Sequence, residues 1–230
     1  MKSDPKKLRS AANAAVDARV QSGMIVGLGT GSTASWAVRR IGELLSSGAL
    51  ENVRGIPTSE TTARLAQEVG IPLLSLAEAR PEITIDGADE IDPNLALIKG
   101  RGGALLREKI VAAASGTLIV VADDSKLVDA LGRDFLPVEV EPFGWESTLE
   151  ALASLGCEPE RRLIDGDSKN PFLTDGGHYT VDCTFPSIAD PAGLEAEIRC
   201  IPGALECGLF VGLAQTAFVA SDDETVVMQA

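Results

Sequence analysis

The stretch ITIDGADEID, residues 83–92, runs an apolar segment straight into a cluster of acids. Ile83, Thr84 and Ile85 read as a buried strand. Asp86, Asp89, Glu90 and Asp92 follow, four carboxylates in seven positions. Charge aimed from the end of a core strand suits a sheet whose strand ends carry function, and the flanking sequence has that form. Short apolar runs stand at MIVGLG (24–29), VRGIPTS (53–59), PLLSL (72–76), LALIKG (95–100) and GTLIVVAD (116–123). Between them lie helical segments at 3–23, 32–48, 59–70 and 103–115. Ser3 or Asp4 caps the first, with Pro5 in its opening turn. Ser59 and Thr62 give the third a weak capping box, with Glu60 suited to its first turn. Strands alternating with helices of this length predict an α/β fold, a mostly parallel Rossmann-like sheet flanked by helices.

After Leu131 the texture changes. Segments 136–142, 161–167, 171–185 and 207–212 read as strands, with helices over 145–155 and 191–200. This predicts a second, smaller α+β (ferredoxin-like) domain at 132–210. The α/β catalytic domain then covers 1–131, and the chain returns to it at 211–230.

Composition narrows the function. The 230 residues are 45% hydrophobic and carry a net charge of −14. That charge speaks against nucleic acid or an anionic membrane as partner. It does not exclude a small anion, because beyond a Debye length of about 8 Å local cations dominate a pocket. No apolar run approaches the roughly 20 residues a membrane helix needs, and the N-terminus lacks the apolar core of a signal peptide. A cytoplasmic protein is expected. Cys157, Cys183, Cys200 and Cys207 form no C-x-x-C pair and read as reduced thiols, mostly buried. His178 is the only histidine, so proton chemistry falls to carboxylates and lysines, and neither metal nor cofactor is expected.

In open α/β sheets ligands bind beyond the carboxyl ends of the strands. Four loops stand there. GLGTGSTA (27–34) offers close backbone approach, a helix N-terminus and the hydroxyls of Thr30, Ser32 and Thr33. It reads either as an anion cradle or as a tight turn capped by Ser32. DGADEID (86–92) reads as a solvated acidic turn, or as carboxylates that accept hydrogen bonds from a polyol. In KGRGGALLREK (99–109), Lys99 ends a strand and a glycine-rich loop leads into a helix. On that helix Ala104, Leu105, Glu108, Val111 and Ala112 share the sheet-facing side, while Arg107 and Lys109 point to water. A carboxylate on a buried stripe is unfavourable without a partner or a task, and burial moves a carboxyl toward the range of a general base. In VVADDSKLV (120–128), Asp123 and Asp124 precede Lys126, an exposed lysine or a second cation for a pocket.

Taken in order, GLGTGSTA, DGADEID, KGRGGALLREKI and DDSKLV resemble the type A family of ribose-5-phosphate isomerase, and the likeness runs along nearly the whole chain. The resemblance implies interconversion of ribose 5-phosphate and ribulose 5-phosphate without a metal, through an enediolate. It implies Glu108 as general base, Lys99 as stabiliser of developing negative charge, and Asp86 and Asp89 as ligands of sugar hydroxyls that assist ring opening. It implies substrate contacts at Thr30, Gly31, Ser32, Thr33, Gly87, Ala88, Gly100, Arg101, Gly102 and Lys126. It also implies a homo-oligomer, dimer or tetramer. Many members have glycine where this chain has Arg101. A sugar-phosphate sensor, a sugar-phosphate deaminase and a CoA transferase are the rival readings of the same fold.

Overall fold

A computed structural model describes residues 4–164 and 169–230. The chain divides into two compact units: residues 1–88, 107–127 and 212–230 form the first, and 89–106 with 128–211 the second. In chain order the elements are α1 (Pro5–Arg19), β1 (Ile25–Leu28), α2 (Ala34–Ser46), β2 (Arg54–Pro57), α3 (Glu60–Glu68), β3 (Ile83–Gly87), β4 (Glu90–Ile91), β5 (Leu97–Ile98) and α4 (Leu105–Ala114). Then come β6 (Thr117–Asp123), β7 (Phe135–Val140), α5 (Trp145–Ala153), β8 (Glu158–Arg161), β9 (Tyr179–Thr184), α6 (Pro191–Arg199), β10 (Ala204–Cys207), β11 (Leu209–Phe210), β12 (Ala214–Ala220) and β13 (Thr225–Gln229).

The first unit holds a six-stranded sheet in the order β13-β12-β6-β3-β1-β2. Its strands are parallel except β13, which pairs antiparallel with β12 at one edge. The expected α/β class stands. Val26, Leu28, Ile85, Ile119 and Val121 are buried with Ala12, Val16, Val38 and Ile41 from the helices. Each fully buried aliphatic side chain contributes about 1.5–3 kcal/mol. Asp4 caps α1 by accepting from the Lys6 amide, and Ser59 caps α3 by accepting from the Thr62 amide at 3.0 Å. These are the caps the sequence announces. One expected strand is absent: over 72–76 only Leu73 bridges to Gly55. The Gly55 amide donates to the Pro72 carbonyl and the Leu74 amide to the Gly55 carbonyl, each at 2.9 Å. One step back Pro72, and one step on Pro57 of β2, has no amide proton to donate. The ladder therefore stops after one step.

The second unit contains the sheet β10-β7-β9-β8, antiparallel throughout. The chain order β-α-β-β-α-β with this strand order is the ferredoxin-like topology. Leu136, Val138, Leu152, Val181, Cys183, Ile198 and Cys207 fill its core. Of the strand expected over 161–167, Arg161 ends β8, Leu163 makes one bridge to Pro171, and residues 165–167 lie outside the described residues. A separate three-stranded antiparallel sheet, β11-β5-β4, takes up Leu97–Ile98. The run LALIKG thus leaves the parallel sheet that the alternation suggested, and 89–106 sit with the second unit, because β5 finds its partners in Glu90–Ile91 and Leu209–Phe210.

Candidate active site

The parallel order of the first unit sets its loops. β2 lies on one side of β1 and β3 on the other, so the strand order reverses at β1. Such a switch point opens a crevice at the carboxyl ends of the strands. The loops after β1, β3 and β6 all leave that end of three adjacent strands, and they carry Thr30–Thr33, Asp86–Ala88 and Asp123–Lys126.

At the switch point Asp86 binds the two loops together. Its carboxylate is 1% exposed. Oδ1 accepts from the Thr30 amide at 3.1 Å and from the Gly87 amide at 2.7 Å. Gly29 lies against this carboxylate: a Cβ there would stand 2.2 Å from Asp86 Oδ1. The glycine permits the approach that makes the brace. The Thr30 hydroxyl turns to Thr58, Ser59 and Thr62, with oxygen separations of 2.7, 2.8 and 3.1 Å. Thr62 donates onward to the Gly29 carbonyl at 2.9 Å, and Thr58 to the Leu28 carbonyl at 3.0 Å. This hydroxyl hub was missed in the sequence, where TSETT signals only a helix start.

Gly31 has φ +108° with open space at its Cβ position, and the chain then enters α2. Thr33, not Ser32, stands at the N-cap, and it makes no side-chain cap bond. The Ser35 and Trp36 amides donate to the Gly31 and Thr33 carbonyls, each at 3.0 Å, which leaves the amides before them, with the positive end of the helix, to meet an anion. Gly31 and Ser32 are exposed and Thr33 is buried. After β6, Asp123 accepts from the Ser125 amide at 2.9 Å, and Asp124 pairs with Lys7 at 3.0 Å. Hydrogen bonds from Lys7 to Asp124, and next to Asp222, raise the Lys7 pKa above the usual lysine value. Among the described residues no carboxylate pairs with Lys126.

Helix α4 carries Glu108 as expected: buried, 4% exposed, with Leu105, Val111 and Ala112 also buried. Lys109 does not follow expectation. It is 7% exposed, whereas Ile110 is 49% exposed. The apolar stripe identified the buried face of the helix but not its breadth.

In the second unit Lys99 is 3% exposed. Its amide donates to the Gly208 carbonyl at 2.8 Å, and its Nζ lies 5.4 Å from the Phe210 ring centroid. Asp89 Oδ2 accepts from the Arg101 amide at 3.0 Å. Arg101 directs its guanidinium to Glu90 Oε1 and Asp134 Oδ2, each at 3.0 Å. The fully buried Glu90 also accepts from the amides of Gly132, Arg133 and Asp134. Asp92 Oδ1 accepts from the amides of Asn94 and Ala96. Of the four opening carboxylates, Glu90 and Asp92 are therefore structural acceptors. Asp86 and Asp89 fix the backbone of the two glycine-rich loops.

His178 is half-buried, with Nδ1 2.8 Å from Glu139 Oε1. All four cysteines are free, three of them buried and Cys200 exposed. Among the described residues one set of three possible metal ligands converges, Glu195, Glu206 and Cys207, with ligand atoms within 4.8 Å of one another. None of them belongs to the loops above. No helix among the described residues is long and apolar enough to cross a membrane.

Known proteins complete the comparison. The sequence model of the family ribose 5-phosphate isomerase A (phosphoriboisomerase A) matches residues 54–224. A ribose-5-phosphate isomerase A from Gloeobacter violaceus is 56% identical over 93% of this chain and 92% of its own. One from Agrobacterium fabrum is 47% identical over 99% of both. The structure of ribose 5-phosphate isomerase from Plasmodium falciparum superposes with a TM-score of 0.94 at 40% identity, over 99% of each chain. A D-ribose-5-phosphate isomerase in complex with phospho-erythronic acid gives 0.95 at 37% identity, over 100% of each. The chain belongs to the ribose 5-phosphate isomerase A family, enzymes that interconvert ribose 5-phosphate and ribulose 5-phosphate.

Proposed function

We propose that this isomerase works through an enediolate, with Glu108 as the single base and without a metal. The open-chain aldose carries a proton on C2. Glu108 removes it, and the electron pair moves to form the enediolate as the C1 oxygen gains negative charge. Lys99 stabilises that charge, a contribution that grows toward the transition state. As the hydroxyl proton of O2 passes to O1, Glu108 returns the carbon-bound proton to C1, and C2 becomes the carbonyl of the ketose. Asp86 and Asp89 hold the sugar hydroxyls and assist ring opening. Thr30, Gly31, Ser32 and Thr33 form the phosphate cradle with the α2 N-terminus, and Lys126 adds a cation. Gly87, Ala88, Gly100, Arg101 and Gly102 contribute backbone to the substrate site. The phospho-erythronic acid bound by the related isomerase is an open-chain sugar acid phosphate, and it suits a site that holds a linear polyol with a phosphate.

The observation that carries this reading is the burial of the Glu108 carboxylate on the apolar side of α4. In family context a buried glutamate is a base held on one face, able to serve C2 and C1 in turn. The protein is further proposed to be a cytoplasmic homo-oligomer of the pentose phosphate pathway.

Ribulose 5-phosphate formation from ribose 5-phosphate, measured before and after exhaustive chelation, tests the proposal. Unchanged turnover in chelator is expected. Loss restored by Mg²⁺ or Zn²⁺ would overturn the metal-free route.

A further inference from the structure

The glycine-rich turn after Lys99 requires something to hold it. Gly100 and Gly103 have φ of +104° and +79°, and Gly102 has open space at its Cβ position. The turn closes by one bond of its own, from the Gly103 amide to the Gly100 carbonyl at 2.9 Å. Glycine gives such a segment wide conformational freedom. On its upstream side Lys99 is pinned through its amide to Gly208. On the downstream side the restraint comes from Arg162, in the hairpin segment after β8.

We propose that Arg162 is a positioning residue for the isomerisation, a clasp that fixes the turn 100–103 and with it Lys99. Its Nη1 donates to the Gly100 carbonyl at 3.2 Å and to the Arg101 carbonyl at 2.9 Å. Its Nε donates to Asp182 Oδ2 at 2.8 Å, and its Nη2 to Asp182 Oδ1. A bidentate carboxylate therefore sets the plane of the guanidinium, and the remaining nitrogen reaches two successive carbonyls of the turn. The faces of Phe135 and Phe172 lie 5.6 and 5.7 Å away. Phe172 also fills the space beside Gly103, where a Cβ would come within 2.3 Å of its ring.

The network continues to the site. Phe135 is shared with the Arg101 guanidinium at 5.3 Å. Arg101 in turn holds Asp89 through its amide and Glu90 through its side chain. So Arg101 acts as a second anchor of the turn, with its charge already paired within the second unit. Only arginine supplies this geometry, since lysine offers a point charge without the fork. The neighbouring Arg161 lies over Trp145 and Tyr179, at 4.4 and 5.3 Å, and provides an internal control.

The proposal rests on the assignment of Lys99 as charge stabiliser. Misplacement by about 1 Å lowers turnover by about 10²-fold. Arg162→Met should therefore lower kcat by about 10- to 100-fold, leave KM within about threefold, and speed amide hydrogen exchange at Arg101 and Gly103. Arg162→Lys should recover part of both effects. Arg161→Met should keep kcat within about twofold of wild type, whatever its melting temperature. If Arg162→Met does not fold, Arg162→Lys carries the test through the same kcat and exchange readouts. Wild-type kcat in a folded Arg162→Met protein overturns the proposal. So does an equal loss in Arg161→Met, which would mark a general effect of stability. Retained turnover in Lys99→Ala would refute the Lys99 role on its own, and the exchange rates at 101 and 103 would still decide whether Arg162 holds the turn.

Discussion

The Thr30 amide donates to Asp86 Oδ1 at 3.1 Å, and this bond joins the loop after β1 to the end of β3. The carboxylate that opens the acidic stretch is thereby part of the frame of the proposed phosphate cradle. Its second bond, to the Gly87 amide, holds the acidic turn in the same conformation. A single group sets the shape of both loops.

Gly29 makes that arrangement possible, and Gly29→Ala tests it. The added Cβ would meet Asp86 Oδ1 at 2.2 Å and the Asp86 Cα at 2.6 Å. Backbone must shift, so the substitution should destabilise the protein by about 1–3 kcal/mol. Urea unfolding measures it, and wild-type stability with wild-type activity would show that the two loops are not coupled.

Glu108→Gln keeps size and removes basicity. It should lower kcat by roughly 10²–10⁴-fold, with little change in KM. Wild-type enzyme in D₂O should place deuterium at the transferred position, because the proton on Glu108 exchanges with solvent. A product with no deuterium would indicate hydride transfer and would falsify the role of base.

Lys99 and Lys126 should separate kinetically. Lys99→Ala should reduce kcat by about 10²-fold, as for a donor aimed at charge that develops in the transition state. Lys126→Ala should raise KM by about tenfold or less, since the phosphate charge is present throughout. Steady-state kinetics with both variants decides, and the reverse pattern would exchange the two assignments.

A pH effect is expected away from the site. The Ser75 amide, and then the Ser75 hydroxyl, donate to Glu78 and hold its carboxyl below the usual range. The folded pKa is depressed, so this link stabilises the protein above the unfolded carboxyl range. It is lost as pH falls through the folded value. Ser75→Ala keeps the amide and removes the hydroxyl, so the Glu78 midpoint by NMR titration should rise only part of the way. An unshifted midpoint would show that the hydroxyl has no share in it.

The amino-acid sequence by itself determined the class of the fold and marked the loops and the buried carboxylate on which the proposed chemistry rests. Strand and helix periods alternate clearly up to Asp123. Asp4, Pro5 and Ser59 mark helix starts by local bonding that no distant contact need supply. Glu108 was legible because its neighbours at helical spacing are apolar. What the tertiary structure decided depends on partners distant in the chain. Residues 72–76 look like a strand, but Pro72 cannot donate one step back and Pro57 of β2 cannot donate one step on. Leu97–Ile98 leaves the parallel sheet because Leu209–Phe210, over a hundred residues on, offers an antiparallel edge. Lys109 is buried although its helical position suggests water. Arg101 was an unexplained departure in the sequence; Glu90 and Asp134 give its charge a partner, and Arg162 holds its carbonyl. Periodicity reports which face of an element is apolar, whereas the acceptors that a given donor meets are set by long-range packing, and no local pattern encodes them.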